Sequence, residues 1–219
     1  MDLDKIYDNV AKDYDNKYQS AIHKIEDYII SHILTSQIKS TDTVLDLGCG
    51  TGHVITLANL NYMQYYGVDF SQGMIDDAKS KYNNYTFVNQ DITKMDYIKY
   101  FNVILAIYGQ VNYIGIKKFC DIIQKHGSKD IKYMAVVYAK NGHEDYSYTQ
   151  NYQNYFTKQE IKESMLQEGF DASVKDFSFN GKQEFTGQQQ LERTLFSKDK
   201  ETNNCKYYII TNFDIFRKV

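Results

Sequence analysis

The run Val44-Leu45-Asp46-Leu47-Gly48-Cys49-Gly50-Thr51-Gly52 constrains this chain more than any other stretch. A short apolar β-type segment meets an acid and then glycines at alternating positions, and His53-Val54-Ile55-Thr56-Leu57-Ala58 can continue as a helix. Strand, glycine loop, helix is the geometry of a nucleotide-type cofactor site: glycine lets a ligand approach the backbone closely, and the helix start presents free amides and a positive dipole end. Two common templates fail. The dinucleotide pattern G-x-G-x-x-G requires glycine where His53 stands or, one glycine later, where Ile55 stands. The phosphate loop requires a lysine after Gly52, and none follows.

What stands instead is D-x-G-x-G-x-G, with the acid two residues before the first glycine, followed by a second β-type run, Tyr65-Tyr66-Gly67-Val68, that ends in Asp69. An acid about twenty residues beyond such a loop, at a strand's carboxyl end, can accept from ribose hydroxyls. Ser71 is a good N-cap for the helix containing Met74-Ile75-Asp76-Asp77-Ala78-Lys79. A third β-type run, Tyr85-Thr86-Phe87-Val88, leads to Asp91, and a fourth covers Phe101 to Tyr108. In this order the segments resemble motifs I to IV of the class I S-adenosylmethionine-dependent methyltransferases, over residues 41 to 115. The resemblance implies S-adenosylmethionine as cofactor, held by Asp46, Gly48, Cys49, Gly50 and Gly52 of the loop and by Asp69, Phe70 and Met74 of motif II. It implies Asp91, with Ile92, at the adenine amine and Ile107 of motif IV on the cofactor side.

The length of 219 residues suits one α/β domain with a real core. The net charge of −3, without a basic block, disfavours a nucleic-acid face and leaves a small-molecule partner as the expectation. No apolar run approaches a membrane span and the charged amino terminus is unlike a signal peptide, so a cytoplasmic protein, monomer or homodimer, is expected. Cys49, Cys120 and Cys205 are widely spaced without a C-x-x-C, and no H-E-x-x-H occurs; no metal is expected. The chain lacks proline and tryptophan and carries 21 tyrosines, with lysine far exceeding arginine; this reads as coding bias, which lowers the weight of any one tyrosine cluster.

No linker or repeat divides the chain, so residues 1–219 read as a single domain: a helical N-terminal lid over 1–36, a cofactor-binding core over 41–140 and an acceptor-side part over 141–219. Helical patterns over 53–61, 71–82, 93–98 and 115–126 alternate with strands at 43–48, 64–69, 85–88, 102–108 and 133–139, which predicts a mostly parallel sheet with helices on both faces. Thr157 and Glu160 form a capping box for a helix that stops at Gly169, and β-type runs at 171–179 and 205–216 predict a terminal antiparallel hairpin. The resemblance implies the same Rossmann-like seven-stranded sheet, with its last strand reversed.

Displacement at a sulfonium methyl has an excellent leaving group, so the protein chiefly aligns nucleophile, methyl and sulfur, and a base is needed only for a protonated acceptor. The motif IV region, Ala106-Ile107-Tyr108-Gly109-Gln110-Val111-Asn112-Tyr113, lacks the N/D-P-P-Y/F signature of methyltransferases acting on planar amines. Tyr108, Asn112 and Tyr113 follow the fourth strand, at the edge where open α/β sheets bind ligands. Tyr14 corresponds loosely to a lid aromatic of related small-molecule enzymes, and His143 is a loop histidine with a tunable pKa. Tyr14, Tyr108, Asn112 and His143 are thus the catalytic-side candidates, and the loops 141–156 and 179–191 are where the acceptor is expected to be chosen. The leading function is methyl transfer to nitrogen, oxygen or carbon of a small molecule; the alternatives are a tRNA-modifying methyltransferase and a non-catalytic cofactor-binding protein. The first twenty residues carry Asp2, Asp4, Asp8, Asp13 and Asp15 among few aliphatics, so they are expected to close over the cofactor with Tyr7 and Tyr14 inward.

Overall fold

A computed structural model describes residues 2–96, 99–140, 152–177 and 207–213. Its sheet has seven strands in the order β3-β2-β1-β4-β5-β7-β6. These are β1 (Val44–Leu47), β2 (Tyr65–Asp69), β3 (Thr86–Asn89), β4 (Phe101–Ala106), β5 (Gly127–Tyr138), β6 (Ser173–Phe177) and β7 (Tyr207–Thr211). The first five pair in parallel, whereas β7 pairs antiparallel with both β5 and β6, which is the expected closing hairpin. The helices are α1 (Leu3–Val10), α2 (Ala21–Gln37), α3 (His53–Leu57), α4 (Gln72–Lys81), α5 (Gln110–Ile114), α6 (Ile116–His126) and α7 (Lys158–Gln167).

Alternation along the strands builds two cores, one on each face of the sheet. Val44, Val103, Leu105, Met134, Val136 and Ile209 face α2, α3 and α4, whose Ile29, Ile33, Val54 and Ile75 cover them. Leu45, Leu47, Ile104, Ala106, Ala135 and Ile210 face the opposite way, under Phe119, Ile123, Ile161 and Met165 of α6 and α7. β1 is buried along its whole length because β2 and β4 flank it and helices cover both faces. From β1 the chain turns to β2 on one side and β4 on the other, so a crevice opens at their carboxyl ends.

Several elements differ from the sequence expectation. The N-terminal helical region is broken: α1 gives way to 3-10 turns at Ala11–Asp13 and Asp15–Tyr18, and α2 restarts behind the N-cap Ser20. Residues 93–98 were expected as helix, but a short 3-10 turn, Ile92–Lys94, stands there, started by the Asp91 side chain accepting from the Thr93 amide. α5 was missed because it is a single turn framed by Gly109 and Gly115, both at positive φ. β5 begins six residues early, at Gly127, because Gly127 still pairs with Phe101 beyond an irregularity between Phe101 and Val103. Among the described residues no helix is long and apolar enough to cross a membrane, and no group of three His, Cys, Asp or Glu side chains is placed to hold a metal ion.

The acidic N-terminal segment is fastened mostly by polar contacts. Asp8 accepts from the Ser71 hydroxyl at 2.6 Å and from the Gly73 amide at 2.8 Å, which places a carboxylate on the amino end of α4. Asp15 accepts from the Thr51 hydroxyl at 2.6 Å and pairs with Lys81. Ile6 and Ala11 add the buried apolar contribution. Gly73 is needed for this approach: a Cβ there would lie 2.9 Å from the Asp8 Cα. Alanine favours an isolated helix over glycine by about 1 kcal/mol, so Gly73→Ala leaves α4 sound while pushing α1 away. Hydrogen exchange should speed up over residues 3–18 and stay slow in β1 and β4; unchanged protection of the segment would contradict this docking.

Asn112 of α5 is fully buried and fastens three pieces of chain. Its side-chain amide donates to the Tyr138 and Asn154 carbonyls, and its side-chain oxygen accepts from the Tyr138 amide at 2.9 Å. Asn112→Leu leaves these buried groups unpaired and should cost about 2–4 kcal/mol in urea unfolding. A cost under about 0.5 kcal/mol would show that this junction holds without it.

Candidate functional site

The crevice at the carboxyl ends of β1, β2 and β4 is roofed by α1 and the following 3-10 turns into a cavity of about 200 Å³. One half of its wall is the glycine loop after β1. The Gly48 and Cys49 amides donate to the Val68 carbonyl at 2.8 and 3.1 Å, which folds the loop onto β2. Gly48 has φ +68°, and a Cβ there would strike the Gln110 side chain at 2.0 Å. Gly50 has φ +50° and would point a Cβ into open space, so its backbone is bare toward the cavity it lines.

Two buried carboxylates stand behind this loop. Asp69 ends β2 and ties the loop to the start of α4: one oxygen accepts from the Gly50 amide and the other from the Ser71 amide, each at 2.9 Å. Burial pushes its carboxyl up to about 6 although those amides favour the charge. Asp46, inside β1, accepts from the Tyr65 hydroxyl at 2.7 Å, and burial raises it to about 7 against that bond. Cys49 is buried beside them, and burial, reinforced by the two acids, raises its thiol far above the ordinary value; its small size, not thiol reactivity, suits the loop.

The other half is built by α2 and the ends of β4, β5 and β7. Tyr108 follows β4 with φ +63°, a left-handed backbone costing a non-glycine residue about 1 kcal/mol. That conformation turns its ring into the cavity, where its hydroxyl donates to Asp27 of α2 at 3.0 Å. Asp27 also meets the His53 Nε2 at 3.0 Å, and this bond holds the imidazole above its ordinary pKa. Tyr138 and Tyr207 stack obliquely at 5.3 Å between centroids, with Tyr108 edge-on to Tyr207 at 6.4 Å. From the roof, Tyr7 bonds Tyr113 hydroxyl to hydroxyl at 2.7 Å and packs edge-on against Phe70 at 5.9 Å. Tyr14 lines the cavity between Tyr7 and Tyr18.

Of the residues predicted from sequence, Asp46, Gly48, Cys49, Gly50, Asp69, Phe70, Met74 and Ile107 line this one cavity, with Tyr14 and Tyr108. Gly52 stands apart from the lining as the left-handed N-cap of α3. Asp91 and Ile92 are not brought to the cavity: the Asp91 carboxylate is spent on Thr93 and on an ion pair with Lys94, and Ile92 is buried in the core. Asn112 is likewise not at the cavity, since its side chain is spent on backbone. His143 lies outside the described residues, as does the segment 179–191, and of the expected acceptor loop 141–156 only 152–156 is described.

Sequence reasoning missed Glu26, Asp27 and His53. Glu26 precedes Ile29 and Ile30 by three and four positions, hence shares their buried helix face, and an acid on that face was the available signal. In the sequence His53 opens the helix after the glycine loop and breaks a dinucleotide template, and neither signal marks its bond to Asp27. Tyr138 and Tyr207 carried no signal beyond a strand end in a tyrosine-rich chain.

A family model described as a methyltransferase domain matches residues 44–126, from β1 to the end of α6. An uncharacterized protein of Methanocaldococcus jannaschii is 30% identical over 118 residues, a match that spans 54% of this chain and 44% of that protein. Among solved structures, the chain resembles DhpI in complex with S-adenosylhomocysteine at a TM-score of 0.66, with 14% identity and coverage of 95% and 93% of the two chains. It resembles equally, at a TM-score of 0.66, a Thermotoga maritima S-adenosylmethionine-dependent methyltransferase described as a possible histamine N-methyltransferase, with 12% identity and coverage of 94% and 97%. At such identities these likenesses establish the fold, while the sequence match covers the loop, both buried acids and β4. With that core and that strand order, the chain has the fold of these S-adenosylmethionine-dependent methyltransferases, and its residues 44–126 match a methyltransferase domain.

Proposed function

We propose that the protein transfers the methyl group of S-adenosylmethionine to a nucleophilic atom of a small-molecule acceptor. The observation that carries this reading is the cavity itself: a bare glycine backbone and a buried carboxylate on one side, and a tyrosine-lined chamber on the other, under a single roof. The residues fit the cofactor's chemistry. Asp69 has acceptor capacity beyond its two amide bonds for ribose hydroxyls, Gly48 and Gly50 allow close backbone approach, and Phe70, Met74 and Ile107 offer apolar walls. When bound, the cofactor supplies an electrophilic methyl group on a sulfonium leaving group.

The chain's own share is alignment and exclusion of water. The Asp8 and Asp15 contacts hold the roof over the chamber. That enclosure supports a metabolite-sized acceptor over a folded RNA.

Calorimetry with S-adenosylhomocysteine tests the cofactor assignment. Asp69→Ala should weaken binding by about 2–3 kcal/mol, as expected for loss of hydrogen bonds to a charged acceptor. In the free protein Asp69 titrates near 6, and hydroxyl donors favour its ionised form. Binding below that pH must therefore expel a proton, and affinity should rise from pH 5 to 7 and level off above, while Asp69→Asn flattens the profile. Unchanged affinity in a folded Asp69→Ala protein would place the ribose elsewhere. For the acceptor class, methyl-labelled S-adenosylmethionine is incubated with cell extract split into a low-mass filtrate and total tRNA. Label should enter the filtrate; label entering tRNA alone would contradict the small-molecule reading.

A further inference from the structure

The acceptor half of the chamber has a distinctive chemistry. Its carboxylates come from consecutive positions of α2: Glu26, with 1% of its surface exposed, and Asp27. Its faces are phenol rings from three strand ends, Tyr108, Tyr138 and Tyr207, with Tyr207 in contact with each of the other two. Among the described residues that line the cavity there is no lysine or arginine; the side chains there able to carry positive charge are His23 and His53, and His53 is bonded to Asp27. Asp27 thus holds Tyr108 with one oxygen and His53 with the other, and burial, with the charges of Asp27 and Glu26, keeps that phenol protonated.

This lining discriminates by charge. A carboxylate or phosphate acceptor would enter beside the buried Glu26 and the half-buried Asp27 without a guanidinium or ammonium partner among these walls, a costly desolvation. An ammonium gains from the carboxylates and from the electron-rich ring faces, an attraction that strengthens when the pair is desolvated. We infer that the acceptor is an organic amine that enters as its ammonium ion and is held between Glu26 and Asp27 and the rings of Tyr108, Tyr138 and Tyr207. This rests on the methyltransferase reading above and narrows it to N-methylation.

The step balances without a further reagent. The ammonium first gives one proton to a neighbouring carboxylate, which passes it to water. The freed nitrogen lone pair then forms the new N–C bond as the C–S bond breaks with its electron pair passing to sulfur. The products are an N-methylammonium ion, neutral S-adenosylhomocysteine and one released proton. Asp27 and Glu26 serve both as counter-charge on entry and as the nearest proton acceptors.

The test uses the full chain saturated with S-adenosylhomocysteine, whose affinity is measured first. Phenethylamine, 2-phenylethanol and 3-phenylpropionate share a skeleton and differ in charge at neutral pH; n-butylamine, butan-1-ol and butanoate form a smaller set. In calorimetric titration the ammonium member of at least one set should bind at least tenfold more tightly than its alcohol, and the carboxylate should be weakest. Glu26→Gln with Asp27→Asn should lower that preference at least fivefold while S-adenosylhomocysteine affinity stays within threefold, which shows the fold and cofactor half are intact. Absence of ammonium binding in both sets, an equal or greater affinity for alcohol or carboxylate, or a preference that survives in the double variant would overturn the inference. Failure of S-adenosylhomocysteine itself to bind would instead strike the cofactor reading, a result the first titration identifies separately.

Discussion

The carboxylate of Asp69 joins two chain segments that are otherwise separate at the sheet's edge. Through the Gly50 amide it fixes the loop leaving β1, and through the Ser71 amide it fixes the start of α4. Ser71 in turn caps that helix through the Met74 amide and donates to Asp8 of the roof. Loop, helix and roof are therefore linked through one acid and its neighbour, and the cavity's shape follows from that linkage. Holding Asp69 ionised at neutral pH costs about 3 kcal/mol relative to a solvated carboxylate, given its rise to about 6. That cost is what remains after the two backbone amides have offset part of the burial, and hydroxyl donors of a bound ribose would reduce it further.

The roof illustrates how a segment poor in aliphatic residues can still dock. Asp8 sits on the amino end of α4, where free amides and the helix dipole favour negative charge. Asp15 reaches the glycine loop at Thr51 and the far end of α4 at Lys81. These contacts grip the glycine loop and α4, so the roof and that side of the cavity are coupled through shared partners. Tyr7 and Tyr14 then contribute their rings to the cavity. Such a polar attachment opens at lower free-energy cost than an apolar one of the same area.

The parts of the fold legible in the sequence are those governed by strong local signals. Val44–Leu47 with its glycines, the Ser71 cap and the Thr157–Glu160 capping box all form as expected because each rests on a few adjacent residues. The break in the N-terminal helix, the single-turn α5 and the early start of β5 depend on distant partners: the Asp8 and Asp15 contacts, the Asn112 junction and the irregular β4 pairing. The site divides in the same way. Its glycine-loop half lies in consecutive motifs, whereas the tyrosine half draws on α2, β4, β5 and β7, residues that only the sheet order brings together. Tyr138 and Tyr207 are neighbours because β7 inserts between β5 and β6, and nothing local in either strand marks that.

The central claim is that one chamber holds the cofactor on its glycine-loop side and the acceptor on its tyrosine side. A crystal structure of the protein with S-adenosylhomocysteine tests this most directly. The account expects the ribose hydroxyls on Asp69 and the sulfur directed toward Tyr108 and Asp27, beneath Tyr7 and Tyr14. A nucleoside bound outside this chamber, or bound within it with its sulfur turned away from Tyr108, would contradict the account.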